Sequence, residues 1–433
     1  MQSQVPSYIQ LRTLILLQAF AILLILARSP KGLSRGVSQK MQFGLLASYV
    51  LVIGLGLLDY FGFLSLSALR EIATGVNQKG TPLRLQSVFG HPAWCAMYIS
   101  ATAPSVIVLF TTSLRPWLRN LLIVGLLVAG EYALLLTFAR GGWVSYPFTL
   151  LCIWGCIYWL RSDGGKAKAS LGLGRLMRNV VVSLPLTIMV SLGLLAVSEK
   201  GDHQRYIERF KAVSRAVDRT VYIRPSLMLA TEHPIMGGGT QGFAYRYTTA
   251  FVIPTGKYAS AGSPLGHTFN NAHSLYLGLL VGQGLWGLSM MLAWFVSIAF
   301  TCKKEIQDAT GNTSLKRQGR EQPFIWIALL CSTASIALYG IFDDTFYPPG
   351  LLVLLFIQAG LALEGYSGPP LLSRIQIRLV LGVALMATIG QWVWEWVYPA
   401  SATKLTIDPD SRGCYHSTAE RAQGSSRIWC SED

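Results

Sequence analysis

Apolar runs of about 20 residues recur along the chain, joined by short polar connections and broken once by a long polar stretch. That is the length an α-helix needs to cross a hydrocarbon core. Backbone groups in lipid must be satisfied within their own segment, so the runs predict helices. They fall at 14–27, 43–68, 93–112, 118–138, 142–160, 179–198, 273–301, 323–341, 347–363 and 377–397. The interruption is Glu199–Asn271, with nine Lys/Arg against five Asp/Glu. The pattern predicts an all-α, polytopic helical membrane protein of about ten spans with one large extracytoplasmic loop containing short helices. It divides into N-terminal transmembrane helices (1–198), the large loop (199–272), C-terminal transmembrane helices (273–397) and a polar tail (398–433).

Inside the loop the period changes. Ile207, Phe210, Val213 and Val217 recur at spacings of three and four, with Arg205, Arg209, Arg215 and Arg219 elsewhere, which predicts an amphipathic helix over 203–217. Pro225 suits a first helical turn and Pro234 stops a helix, so a second short helix is expected over 225–231. Gly237-Gly-Gly-Thr-Gln-Gly242 then reads as a tight turn.

Composition supports the membrane reading. Of 433 residues, 52% are apolar and only 13% charged. The net charge of +15 would suggest nucleic acid in a soluble protein. No basic helix or aromatic-basic module accompanies it, so loops facing anionic headgroups and an anionic substrate account for it better. The first ten residues lack Lys and Arg and make a poor cleavable signal peptide. Alternating the spans places 28–42, 113–117, 161–178, 302–322 and 364–376 inside; with their flanks they hold 18 Lys/Arg. The short outer connections hold four, Arg70, Lys79, Arg84 and Arg140, as the positive-inside rule requires. The large loop, His91, Asp343, Asp344 and the tail then lie outside. Of seven cysteines, Cys95, Cys152, Cys156, Cys302 and Cys331 belong to apolar runs and read as packing residues. Cys414 and Cys430 lie in the tail and can pair if it is extracytoplasmic.

Several positions carry candidate chemistry. Arg140, followed by Gly141-Gly142, joins two spans. It reads either as a snorkelling anchor at headgroup level or as a planar fork for phosphate beside freed backbone N–H groups. His273 opens a span, where the helix dipole favours a neutral, proton-accepting imidazole; a structural hydrogen-bonding role is the competing reading. Gly237–Gly242 matches G-x-G-x-x-G but lacks the preceding strand and βαβ context of a dinucleotide site. Glu131 lies inside a span and reads as a proton or ion site, or as a neutral acid bonded to a neighbouring helix. No metal-ligand motif or nucleophile elbow is present, so neither metal nor cofactor is expected.

Three stretches now stand in order: Arg84-Leu-Gln-Ser-Val-Phe-Gly-His91-Pro with the Ala139-Arg140-Gly141-Gly142-Trp143 turn, then Arg219-Thr-Val-Tyr-Ile-Arg224-Pro running on to Pro234-Ile-Met-Gly-Gly-Gly, then Asn271-Ala-His273-Ser-Leu-Tyr. With the large loop between the first and last, the chain resembles the O-antigen ligase and polymerase superfamily over about residues 80 to 300. The sequence departs from the family pattern at Ile223, Asn271 and Ser274. The resemblance implies a multi-pass protein of the bacterial inner membrane with a periplasmic active face. The implied reaction moves a glycan from undecaprenyl pyrophosphate to an acceptor sugar hydroxyl, on lipid A core (ligase) or a growing glycan (polymerase).

The resemblance places the catalytic residues at Arg140, Arg219 and His273. Substrate-binding positions follow at Arg84, His91, Arg224, Gly141 and Gly142. Pyrophosphate is already a good leaving group, so two guanidinium groups suffice to stabilise charge growing on the bridging oxygen. His273 would orient or deprotonate the attacking hydroxyl, with inversion at the anomeric carbon. Two other classes remain: a small-anion transporter of bicarbonate type built on Glu131 and Asp59, and a non-enzymatic scaffold for an export complex.

Overall fold

Four helices have both the length and the apolarity to cross a bilayer among the described residues of this computed structural model. The structure describes residues 34–67, 84–162, 189, 217–238, 272–311, 322–343, 405–407, 414–417 and 428–430. In chain order the helices are α1 (Ser34–Tyr60), α2 (Pro92–Thr102), α3 (Pro116–Thr137), α4 (Arg140–Ser162), α5 (Val217–Glu232), α6 (Leu275–Gly311) and α7 (Gln322–Tyr339). A 3₁₀ segment, Ala103–Thr111, continues α2, and the two together form one span. The predicted spans 14–27, 347–363 and 377–397, the 179–198 span apart from Met189, and the 203–217 helix apart from Val217 lie outside the described residues.

By contact the chain divides into two units. The first is Met1–Val221, His273–Gly278 and Trp286–Tyr366. Within it, the α2 span is the centre, 83% buried against 33% and 39% for the spans of α1 and α3. Its sequence explains the position. Ala93, Ala96, Ser100, Ala101, Ala103 and Ser105 let neighbouring backbones approach, as small residues do between membrane helices. Its hydroxyls then tie the bundle. Ser145 Oγ of α4 bonds Ser100 Oγ at 3.0 Å, and Tyr98 Oη donates to Ser48 Oγ of α1 at 2.8 Å. Ser332 Oγ of α7 donates to the carbonyl of Ala101. α7 packs against α2, its 3₁₀ continuation and α4. Outward faces carry exposed Leu51, Leu121, Leu151, Trp286 and Phe300, which suits contact with hydrocarbon.

α1 stops short of the predicted 43–68 run. The Asp59 carboxylate accepts the Leu66 amide at 2.9 Å, and the amides of Phe61, Gly62, Phe63 and Leu64 turn back onto carbonyls of Leu57, Leu58 and Asp59. That local capture of donors ends the helix at Tyr60.

The second unit is Tyr222–Ala272, Leu279–Leu285 and Ser367–Asp433. The short helix expected over 225–231 is instead the C-terminal half of α5, so Pro225 lies inside a helix rather than in its first turn. Buried Ser226, Leu229 and Ala230 form one face there, and that burial offsets the cost of an interior proline. The turn after α5 reaches α6 where Gly284 breaks the helical backbone (φ 67°, ψ −164°). Gly238 N–H donates to Val281 O at 2.8 Å, and Leu285 N–H to Pro234 O at 2.8 Å. Gly237 (φ +72°) is obligatory, because a Cβ would stand 2.3 Å from Gln283 N. Its neighbours' donors are thus engaged by protein, so the first part of the Gly-rich motif is a packing device.

The tail departs from the all-α expectation. β1 (Leu405–Ile407), β2 (Cys414–Ser417) and β3 (Ile428–Cys430) form an antiparallel sheet in the order β1-β2-β3.

Candidate active site

One end of the first unit gathers the beginnings of α2, α4 and α6 and the ends of α3 and α7. Thr137 closes α3, and Phe138 turns the chain with a left-handed backbone (φ 53°). Ala139 N–H then bonds Thr137 Oγ1 at 3.1 Å, and Ala139 O accepts Gly142 N–H at 3.0 Å and Trp143 N–H at 3.2 Å. Arg140, half-buried, is therefore fixed in the first turn of α4. Arg84 arrives alongside: Leu85 N–H donates to Leu136 O at 2.9 Å and Arg84 Nε to Thr137 O at 2.8 Å. A cation on the last carbonyls of α3 also complements the negative end of that helix.

Gly141 and Gly142 are places of close packing. A Cβ on Gly141 would stand 3.1 Å from Tyr339 Cζ and Phe342 Cβ. On Gly142 it would meet Leu134 Cδ2 at 2.8 Å and Ala96 Cβ at 3.0 Å. The pair brings the start of α4 against α2, α3 and the end of α7, and the Gly142 N–H is spent inside the helix.

Tyr339 links the remaining parts, with its hydroxyl donating to Ala93 O at 2.7 Å in the first turn of α2. His91 is the N-cap residue of that helix, and its ring lies 5.0 Å from that of Trp94. Beyond Tyr339, Gly340 O accepts Leu275 N–H at 2.7 Å and Ser274 Oγ at 3.2 Å, and Asp343 O accepts Leu275 N–H at 3.2 Å. This docks the start of α6 on the end of α7. His273 stands two residues before α6 in the left-handed region (φ 47°). That conformation costs a non-glycine residue free energy, and histidine tolerates it better than most. Its Nδ1 lies 3.5 Å from Oδ1 of buried Asp343.

Charge is shared across this cluster. Although the His91 ring reaches solvent, the protein packed around it desolvates the imidazolium and holds its pKa below the ordinary value. Asp343 pulls it back up, while Arg84 and His273 push it further down. Arg84, two imidazoles and the buried Asp343 carboxylate act on one another here, and Arg140 stands in the first turn of α4 at the same end, beside two further helix N-termini, an arrangement suited to an anionic group. The Asp343 carboxylate stands on the Nδ1 side of the His273 ring.

Asp343 is the residue that reading the sequence did not single out. Its signal was its position in the polar break after an apolar run, on the same side as His273. Arg224 is exposed on α5, in the second unit. Arg219 belongs to the first turn of α5, and its side chain lies outside the described residues. Glu131 stands on α3 beside a buried tyrosine pair. Tyr49 Oη lies 3.3 Å from Tyr146 Oη, and the two hydroxyls also donate to Leu126 O and Leu127 O. Gly130 makes room for Tyr49 there. Among the described residues, no group of three or more His, Cys, Asp or Glu side chains is placed to hold a metal ion.

Residues 122–292 match the family described as O-Antigen ligase. That region is similar to the O-antigen ligase family. The O-antigen ligase match runs from within α3 through the first half of α6. It therefore contains Arg140, Gly141, Gly142, Arg219, Arg224 and His273, while Arg84, His91 and Asp343 flank it. No curated protein matches the chain. That similarity supports a membrane glycosyltransferase-like role in O-antigen ligation or polymerisation.

Proposed function

We propose that this protein is an inner-membrane O-antigen ligase that works at the periplasmic face. It transfers a glycan from undecaprenyl pyrophosphate to a sugar hydroxyl of lipid A core, with inversion and without a metal. The observation that carries the reading is the gathering of Arg84, Arg140, His91, His273 and Asp343 at one end of the bundle, inside and beside the family match.

The chemistry follows from the groups. As the sugar–phosphate bond breaks, negative charge grows on the bridging oxygen and is shared over the diphosphate. Arg140 and Arg219 take that charge, Arg84 supports it from the end of α3, and removing one such preorganised donor costs about 10²–10³ in rate. Asp343 holds His273 Nδ1–H, and Nε2 accepts the proton of the attacking hydroxyl. The departing polyprenyl diphosphate leaves as an anion already matched to the site, so no strong general acid is required. His91 contacts donor or acceptor hydroxyls.

The test is complementation of a strain deleted for this gene, read on a lipopolysaccharide gel. A deletion that leaves core without any glycan supports the ligase; a single repeat on core supports a polymerase acting at the same site. Arg140→Ala and Arg219→Ala should each fail to complement although the proteins reach the membrane. Normal glycan assembly in both variants would sink the proposal.

A further inference from the structure

We infer that Cys414 and Cys430 form an intrachain disulfide that staples the tail sheet. Backbone register sets Cys414 of β2 directly opposite Cys430 of β3, with Tyr415 opposite Trp429 and His416 opposite Ile428. Directly opposed residues of an antiparallel ladder share one face, with Cα atoms about 4.5–5.5 Å apart. That interval falls within the separation a disulfide spans, about 4.4–6.8 Å. A slip of one residue would put the two cysteines on opposite faces, so the register itself selects the pair.

The position of the pair gives it a purpose. Cys414 is the first residue of β2 and Cys430 the last of β3. They therefore close the ladder at the end away from the polar connection 418–427, where a hairpin would otherwise fray. The sheet needs the closure: its strands have three, four and three residues. Strands this short lack the length and apolar face that hold a small sheet together in water. The other cysteines are no competitors. Cys95, Cys152, Cys156, Cys302 and Cys331 all lie on the bundle helices, and three of them are buried.

The bond forms by exchange with the disulfide of a thiol oxidase. One tail thiolate attacks that disulfide to give a mixed disulfide. The second tail thiolate displaces the oxidase sulfur, and the oxidase is left as a dithiol carrying the two electrons and two protons. Such oxidases act outside the reducing cytoplasm, so the bond also requires the tail to face the extracytoplasmic side.

The experiment uses the full-length protein in membranes from growing cells, quenched in acid, denatured and labelled with a maleimide–polyethylene glycol that retards each free thiol on a gel. The chain has seven cysteines. The inference requires five labels without reduction, seven less the bonded two, and all seven after reduction. Cys430→Ser should show six labels in both conditions, because its partner is released. Seven labels on the unreduced wild type would overturn the inference. So would a reducible band at twice the chain mass, which would make the bond intermolecular. Neither result depends on glycan transfer, so the inference and the ligase reading fail separately.

Discussion

The spans of α2 and α6 both begin at the same end of the bundle, each next to a histidine, and they are held in contrasting ways. The α2 span is 83% buried and is fixed by small residues and hydroxyl bonds to α1, α4 and α7 along its length. The α6 span is 28% buried, is broken at Gly284, and is fastened to α7 within its first turn by Leu275 N–H, Ser274 Oγ and Tyr276 Oη. His91 thus inherits its position from a rigid centre. His273 depends on a few bonds and a left-handed backbone. A group that must meet a reacting hydroxyl gains from being placed by local contacts that the rest of the span does not constrain, and it pays with local strain.

The sharpest way to break this contrast is His273→Gly. Glycine accepts φ 47° without penalty, so the thermal midpoint in detergent should hold or rise while glycan transfer falls about 10²–10⁴-fold. A variant that transfers normally would make His273 a structural turn residue. Asp343→Asn should cost about ten- to a hundredfold in transfer, the worth of a bond to a charged group. The backbone bond from Leu275 N–H to Asp343 O survives that change, so folding should be spared. Membrane levels and turnover measured together separate the two effects.

On the α2 side the effects should appear as stability. Gly142→Val drives a side chain into Leu134 and Ala96 and should destabilise by about 1–3 kcal/mol, whereas Gly155→Ala, with open space around it, should be tolerated. Equal thermal midpoints for the two would refute tight packing at the start of α4. Tyr276→Phe removes one bond to Ala337 O and should cost about 1 kcal/mol, read as a lower midpoint for the α6 docking.

The smallest effect concerns pH. His91 has a folded-state pKa below the ordinary 6.5, so below that pH the unfolded chain takes up a proton that the folded chain refuses. Its contribution to stability is complete above 6.5 and shrinks as pH falls toward the folded value. His91→Gln should flatten that acid-side loss in a pH series of thermal midpoints, and an unchanged slope would show that His91 is not desolvated.

The apolar spans were legible because burial in lipid leaves a simple mark. The runs at 93–112, 118–138, 142–160 and 323–341 coincide with helices to within two residues. What hydropathy could not show was the local competition for donors. Asp59 ends α1 early, although the apolar run continues to residue 68. Pro225 reads as a helix start, yet one buried face carries the helix through it. In the sequence, Arg140 stood out as a cation beside a Gly-Gly pair and His273 as an imidazole at the start of a span. Gly141 and Gly142 were visible, but their close packing was not, since close packing and anion binding ask for the same residue. Asp343 was visible only as a polar residue on the outer side, and its pairing with His273 appears only in the fold. The tail strands are too short for alternation to reveal them.

The interlock between Gly237 and Gly284 has a consequence for biogenesis. A helix broken at Gly284 would expose bare amide and carbonyl groups to the acyl chains until the turn from Pro234 to Gly238 covers them. The covering turn leaves the ribosome first, and the segment it must cover emerges later. The cover is therefore already made when the break at Gly284 enters the bilayer, and the region is complete only once the two meet.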